Sequence, residues 1–347
     1  MINKKVGLDK GQGFKRSKAF ILLVFIFFIS SIQYLMINAF AETTIRILLN
    51  NGKNTKVPDR DEKIEKIGNP KGEVLLSGVN YSGIIEVWKG QKGLYIVNEV
   101  SLEDYIKGVV AAEVGNNWEL EALKAQAVVA RTYAVYQKIH NEKRPYHITS
   151  SVSDQVYKAG NIPENIERAV METKGEILTY EGEPIIAFYH STSGGMTEDP
   201  AEVFGKSYPY LKPVETSCEN SPYYMWERRI PQSELEKASA INGIKEIYIN
   251  EITASNRARN LKFITEKGEY IVIAKDLRKN LGWDRLPSTM ITNITKNGDI
   301  FIIEGKGYGH GVGMCQWTAL DMAKKGMGYR EILSKFYPNT TIELYDK

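Results

Sequence analysis

The stretch Tyr105-Ile-Lys-Gly-Val-Val-Ala-Ala-Glu-Val-Gly115, followed by Glu121-Ala-Leu-Lys-Ala-Gln-Ala-Val-Val-Ala-Arg-Thr-Tyr-Ala134, decides how this chain is read. The second segment predicts a helix from about Trp118 to Ile139 that is apolar on almost every side, the pattern of a helix buried in mid-domain. Its polar exceptions are Lys124, Gln126, Arg131 and Thr132. At about 100° per residue, Lys124 and Arg131 fall on nearly one line and Gln126 almost opposite. One face therefore meets a site, while the other satisfies buried backbone groups. The first segment predicts a helix starting at Ser101, whose side chain caps it, and ending near Val114. Asn116 or Asn117 is placed to cap the helix that follows.

That arrangement puts Glu113 at the end of an apolar run. A carboxyl in apolar surroundings resists ionisation and stays protonated nearer neutral pH. Such an acid can protonate the oxygen of a glycosidic bond. The competing reading is a salt-bridged carboxylate at a helix C-terminus, a place where the helix dipole disfavours it.

Outward from this pair, short alternating stretches predict strands and hairpins at Thr44 to Leu49, Glu73 to Val79, Gly83 to Trp88 and Gly93 to Val97. A helix is expected near Glu164 to Glu172, with strands at Glu176 to Tyr180 and Pro184 to His190. The region from Glu202 to about Ile230 reads as long loop. Several strands follow between Ile244 and Ile303, with a short helix near Lys275 to Asn280, and two helices at about Trp317 to Lys325 and Tyr329 to Phe336 end the chain. The expected fold class is α+β, with mixed strands around the buried Ala-rich helix in one unit from residue 43 to 347.

The N-terminus addresses location. Lys4, Lys5, Lys10, Lys15, Arg16 and Lys18 precede an apolar run from Ala19 that extends to Phe40. As a helix, residues 19–40 would measure roughly 33 Å, enough to span a bilayer. The reading is a cytoplasmic basic tail (1–18), a transmembrane anchor or signal segment (19–40) and a body outside the cytoplasm. Ala39-Phe40-Ala41 also resembles a signal-cleavage site.

A net charge of only +3, from 45 basic and 42 acidic residues, gives no argument for a nucleic-acid partner. Tyrosine, at 20 residues, outnumbers Phe and Trp and suits stacking on sugars, although a β-rich core uses it equally well. The two cysteines, Cys218 and Cys315, can pair only if the fold brings them together. No Cys/His cluster has metal-ligand spacing, and neither a metal nor another cofactor is expected.

Two further stretches carry polar chemistry. His190-Ser-Thr-Ser-Gly-Gly195 gathers hydroxyls after a strand; it is a binding loop or a plain turn. Gly305-Lys-Gly-Tyr-Gly-His-Gly-Val-Gly-Met-Cys-Gln316 has glycine at every second position from 305 to 313. If extended, Lys306, Tyr308, His310 and Val312 share one face, and the bare backbone opposite admits a ligand or another segment.

Taken together, these segments resemble the stage II sporulation protein D family, which also includes amidase-enhancer proteins. The resemblance runs through Leu102 to Glu113, Leu123 to Tyr133, Asp154-Gln-Val-Tyr157, His190 to Gly195, Pro209-Tyr-Leu211, Gly307 to Met314 with Gln316, and Tyr329 to Leu333. It implies a membrane-anchored peptidoglycan lytic transglycosylase that acts on glycan strands stripped of stem peptides, beside a partner amidase, during forespore engulfment. It also implies that Glu113 is the catalytic acid. Gln126, Arg131, Tyr157, His190, Ser193, Tyr308, His310 and Gln316 are the candidates for positioning the glycan. Two departures from the family pattern stand out. Cys315 replaces an expected serine, and the cysteines of the zinc site found in some relatives are absent. The rival readings are a hydrolytic muramidase and a non-catalytic glycan-binding enhancer of an amidase.

Overall fold

The computed structural model describes residues 43–345 except 50–57, 59–61, 71–73, 77, 116 and 153. The apolar segment 19–40 and its basic flank lie outside the described residues; among the described residues no helix is long and apolar enough to cross a membrane.

The chain opens with β1 (Thr44–Leu48), β2 (Glu65–Gly68), the hairpin β3 (Val74–Leu76) and β4 (Val79–Tyr81), then β5 (Ile84–Gly90) and β6 (Gly93–Ser101). β1 buries alternate residues, Ile45 and Ile47, as a half-buried strand should. Next comes α1 (Leu102–Glu113), where Ser101 Oγ accepts the Asp104 N–H at 3.2 Å as the sequence predicts. α2 (Leu120–His140) follows, capped at Glu119 without a side-chain bond, rather than by an asparagine. The Trp118 N–H closes a turn on the Gly115 carbonyl at 3.2 Å, which carries the chain past Asn117 before the helix begins. β7 (Ile148–Thr149) pairs parallel to β1 and completes a five-stranded sheet ordered β2-β5-β6-β1-β7.

α3 (Glu164–Glu172) and β8 (Glu176–Tyr180) match the predicted bounds. The strand expected from Pro184 to His190 is instead two fragments, β9 (Glu183–Pro184) and β10 (Tyr189–His190), joined by buried Ile185 to Ala187. The expected loop 202–230 also holds regular structure. α4 (Pro200–Phe204) is one turn, too short to show a helical period, and is capped by Asp199, whose Oδ1 accepts the Ala201 N–H at 2.8 Å. β11 (Met225–Pro231) points Trp226 and Ile230 inward between charged neighbours.

Then come α5 (Gln232–Ser239), β12 (Ile244–Ile252), β13 (Ala258–Thr265), β14 (Gly268–Ile273), α6 (Ala274–Leu281), β15 (Ile291–Asn297) and β16 (Ile300–Lys306). α5 escapes a sequence reading because only Leu235 of it is buried. After the glycine-rich stretch lie β17 (Met314–Cys315), α7 (Gln316–Lys324), α8 (Tyr329–Phe336) and β18 (Thr341–Leu344). The mixed α+β class holds.

Two apolar cores form. The larger centres on α2, buried almost continuously from Ala122 to Val135, with α1, α3, α7, α8 and β8 packed around it. Its alanines let those neighbours approach closely. The smaller core belongs to the segment from β11 to β16, where Phe263, Leu277, Phe301 and Ile303 fill the space between two three-stranded sheets and α5 and α6.

Candidate active site

Glu113 closes α1 at the mouth of the larger core and is itself only half-buried. Burial raises its pKa above 4.5, against the Val156 backbone N–H, which donates to Oε1 at 3.1 Å, and the nearby Gln316 and Tyr189 side chains. Tyr189 Oη makes no hydrogen bond of standard geometry, so a buried hydroxyl stands ready beside the acid. Gln316 Nε2 donates to Gln126 Oε1 at 3.3 Å, while Gln126 Nε2 lacks a partner. The core of the site is thus one elevated-pKa carboxyl with a hydroxyl and two amides from three separate elements.

The segment Asp154 to Tyr157 supports that arrangement residue by residue. Asp154 accepts the Thr149 N–H at 3.0 Å and the Tyr133 hydroxyl at 3.2 Å, fixing the loop to α2 and β7. Gln155 is fully buried, accepts from Tyr105 Oη at 3.1 Å and donates to the Ala130 carbonyl at 3.2 Å. Val156 presents its N–H to Glu113. Tyr157 packs against Gly108 of α1, where an added Cβ would meet its ring at 2.6 Å.

The other predicted residues divide. Gln316 reaches the acid, and Gln126 stands behind it, joined to Gln316. Arg131 does not: fully buried, it pairs with Glu103 through Nε at 2.9 Å and Nη2 at 2.7 Å and donates to the Glu176 and Val170 carbonyls. The two faces of α2 thus part as expected, Gln126 toward the site and Arg131 toward buried backbone. Tyr157, 7 % exposed, serves as packing. His190 Nδ1 donates to the Val312 carbonyl at 3.1 Å, and its Nε2 has no partner. Ser193 lies buried between the two cysteines. Tyr308 donates to Asp284 Oδ1 at 2.6 Å, and His310 packs on Phe188 and Phe204.

The glycine-rich stretch is not extended, because Gly307, Gly309, Gly311 and Gly313 all have positive φ. It loops, and its bare backbone admits other segments of this chain. A Cβ on Gly313 would stand 1.9 Å from the Phe188 carbonyl. That loop delivers β17 into register with β10, Tyr189 opposite Met314 and His190 opposite Cys315, and so brings Gln316, next after β17, to the same acid as Tyr189.

Burial keeps both histidines neutral. His310 is pushed down to about 3 by burial, helped by Arg278 and Arg257, and His190 falls well below 6.5, chiefly through burial. Neither is a proton donor near neutral pH.

Sequence reasoning missed Tyr189 and two tryptophans. Trp118 packs over Gly115, just beyond Glu113, and meets Trp317, the neighbour of Gln316, edge-on at 5.4 Å. Adjacency to Glu113 and Gln316 was the available signal. Among the described residues, no group of three or more His, Cys, Asp or Glu side chains is placed to hold a metal ion.

Residues 90–180, which contain α1, α2 and Glu113, match the family described as "Stage II sporulation protein". Residues 210–313, which contain the smaller core, match a domain of unknown function. The chain is 32% identical over 274 residues to the stage II sporulation protein D of Bacillus amyloliquefaciens, covering 72% of this chain and 76% of that one. The protein of the same name from Bacillus subtilis is 32% identical over 267 residues, with the same coverage. A Bacillus subtilis amidase enhancer is 29% identical over 69% of this chain, but over only 40% of its own length. A chain with one half-buried acid on an α+β scaffold and this identity over most of its length belongs to the stage II sporulation protein D family. Its relatives thus include sporulation proteins and an amidase enhancer.

Proposed function

We propose that this chain is a peptidoglycan lytic transglycosylase that cleaves peptide-free glycan strands, with Glu113 as the single acid and base. The state of Glu113 carries the reading: half-buried, reachable from solvent, and held toward its protonated form. Protonated Glu113 donates to the oxygen between N-acetylmuramic acid and N-acetylglucosamine as that bond breaks. The carboxylate left behind takes the proton of the muramyl C6 hydroxyl, whose oxygen attacks its own anomeric carbon. A 1,6-anhydro end forms, and Glu113 is protonated again.

A hydrolase needs a second carboxylate to activate water or to form a covalent intermediate. The groups that hold Glu113 are the Val156 N–H, Gln316 and Tyr189, none of them a carboxylate. The free Tyr189 hydroxyl and Gln126 amide are suited to acetamido and hydroxyl groups of a sugar, and Trp118 and Trp317 offer stacking faces.

The test is incubation of the full-length chain, in mild detergent, with peptide-free glycan strands and mass spectrometry of the new ends. Anhydro ends are expected, falling about 10²–10⁴-fold with Glu113→Gln. Reducing ends would point to hydrolysis. The likeness to an amidase enhancer supports a second reading, a glycan-binding partner that stimulates an amidase. In that case Glu113→Gln leaves the stimulation intact and no glycan ends appear. Action at the membrane through residues 19–40, with the body outside the cytoplasm and during engulfment, belongs to the same proposal.

A further inference from the structure

The chain enters the smaller core at Met225 and leaves it at Lys306, and one cysteine stands just outside each crossing. Cys218 and Cys315 are both fully buried and both free thiols. A single hydroxyl links them: Ser193 Oγ lies 3.3 Å from Cys218 Sγ and 3.4 Å from Cys315 Sγ, and the Ser193 N–H donates to Cys315 Sγ at 3.3 Å. Arg257, which reaches this point from the smaller unit, is 1 % exposed and donates Nη2 to the Ser193 and Met196 carbonyls at 2.6 and 3.3 Å. Its Nε and Nη1 have no hydrogen-bond partner. The guanidinium is packed against Gly311, where a Cβ would come within 2.7 Å of it. Nearby, Glu198 Oε2 accepts from Thr253 and Ser255 at 2.6 and 2.7 Å, so the base of the unit is already clamped by hydrogen bonds.

We propose that Cys218 and Cys315 are a thiol–disulfide pair that, once oxidised, closes a covalent staple across the base of the 225–306 unit. The sulfurs share one hydroxyl, no third donor is grouped with them among the described residues, and a buried cation stands beside them, which suits sulfur–sulfur chemistry over metal binding. Cys218 is the attacking group. Its pKa is drawn down to about 6 by Cys315, then by Ser193 and the Gly194 and Gly195 amides, against burial. Cys315 is pushed up by burial and by Cys218.

The oxidant is an external disulfide, carried by a thiol–disulfide oxidoreductase or a small thiol. The Cys218 thiolate attacks one sulfur of that disulfide, its S–S bond breaks, and one thiolate leaves. With the charge on Cys218 gone, the Cys315 proton is released to solvent and its thiolate attacks Cys218 Sγ. The mixed disulfide breaks, and the second thiolate leaves. Two electrons pass from the cysteines to the oxidant, which ends as two thiols. Because both sulfurs are buried, the exchange takes place before the unit has closed on the body.

The test equilibrates the full-length chain, unfolded and refolded in detergent, with oxidised or reduced glutathione, then alkylates it in denaturant. In the oxidised sample the chain is expected to take up no alkyl group, where the reduced chain takes up two, and before alkylation to weigh about two mass units less than the reduced chain. Digestion should release one peptide pair joined through residues 218 and 315. Dithiothreitol should lower the melting midpoint by about 5–10 °C, because the staple encloses a loop of about a hundred residues. Cys218→Ser and Cys315→Ser should each lose that response. Two alkylated cysteines after oxidation, a persistent glutathione adduct on Cys218, or cross-linking between chains would overturn the proposal. If either variant does not fold, the wild-type masses decide alone.

Discussion

Glu113 illustrates how one side chain can be both costly and useful. Its folded-state pKa lies above 4.5, so the folded chain binds its proton more tightly than the unfolded chain does. Its contribution to stability is therefore fullest below the unfolded pKa and is lost as pH rises through the folded one. Glu113→Gln removes that loss. We expect its melting midpoint, relative to wild type, to rise between pH 4 and pH 8, read by thermal melts at both ends. As the proposed acid, Glu113 acts in its protonated form, so turnover should fall as pH rises through its folded pKa. A wild-type profile that climbs steadily toward alkaline pH would reject Glu113 as the acid. The residue was legible in the sequence because an apolar run leads straight to it. Tyr189 was not, since nothing in its immediate sequence shows which hydroxyl the fold leaves without a partner beside the acid.

Among the elements, α2 bears most on the site. Its all-round burial was readable from composition, but the roles of its polar residues were split by packing. Arg131 and Glu103 form a buried pair in which the guanidinium also holds two backbone carbonyls. Breaking such a pair leaves an uncompensated charge in the core and costs about 3–5 kcal/mol. Arg131→Gln should show that loss in denaturant melts, while the protein that remains folded keeps the turnover proposed for Glu113. A selective fall in turnover with unchanged stability would instead return Arg131 to the glycan. The glycine-rich loop taught the opposite lesson: alternate glycines left an extended segment open as one reading, whereas positive φ at four of them makes a loop. Alternation of a residue without a side chain carries no face, so period alone cannot separate the two.

For the molecule as a whole, two cores mean two sources of stability. Phe263 is fully buried in the smaller one. Phe263→Ala should cost about 3–5 kcal/mol. Amide hydrogen exchange should quicken more across residues 225–306 than along α2, because an opening of the smaller core need not open the larger one. Equal acceleration in both would mean that the cores unfold as one cooperative unit. The sequence did not mark this boundary, since no linker or change of composition separates the segments.

By itself the sequence determined the helices that carry the acid, the strands before them, and the mixed α+β class, because each follows from local spacing of apolar residues and caps. It determined the family as well, through motifs strung along most of the chain. Only the tertiary structure decided which polar side chains meet. Glu113, Tyr189 and Gln316 are far apart in sequence, as are Cys218 and Cys315; the pairing of two-residue strands β10 and β17 brings the segments of Tyr189 and Gln316 together, and Ser193, three residues beyond β10, links the two sulfurs. Contacts of that kind depend on long-range closure of the chain, and no local pattern encodes them.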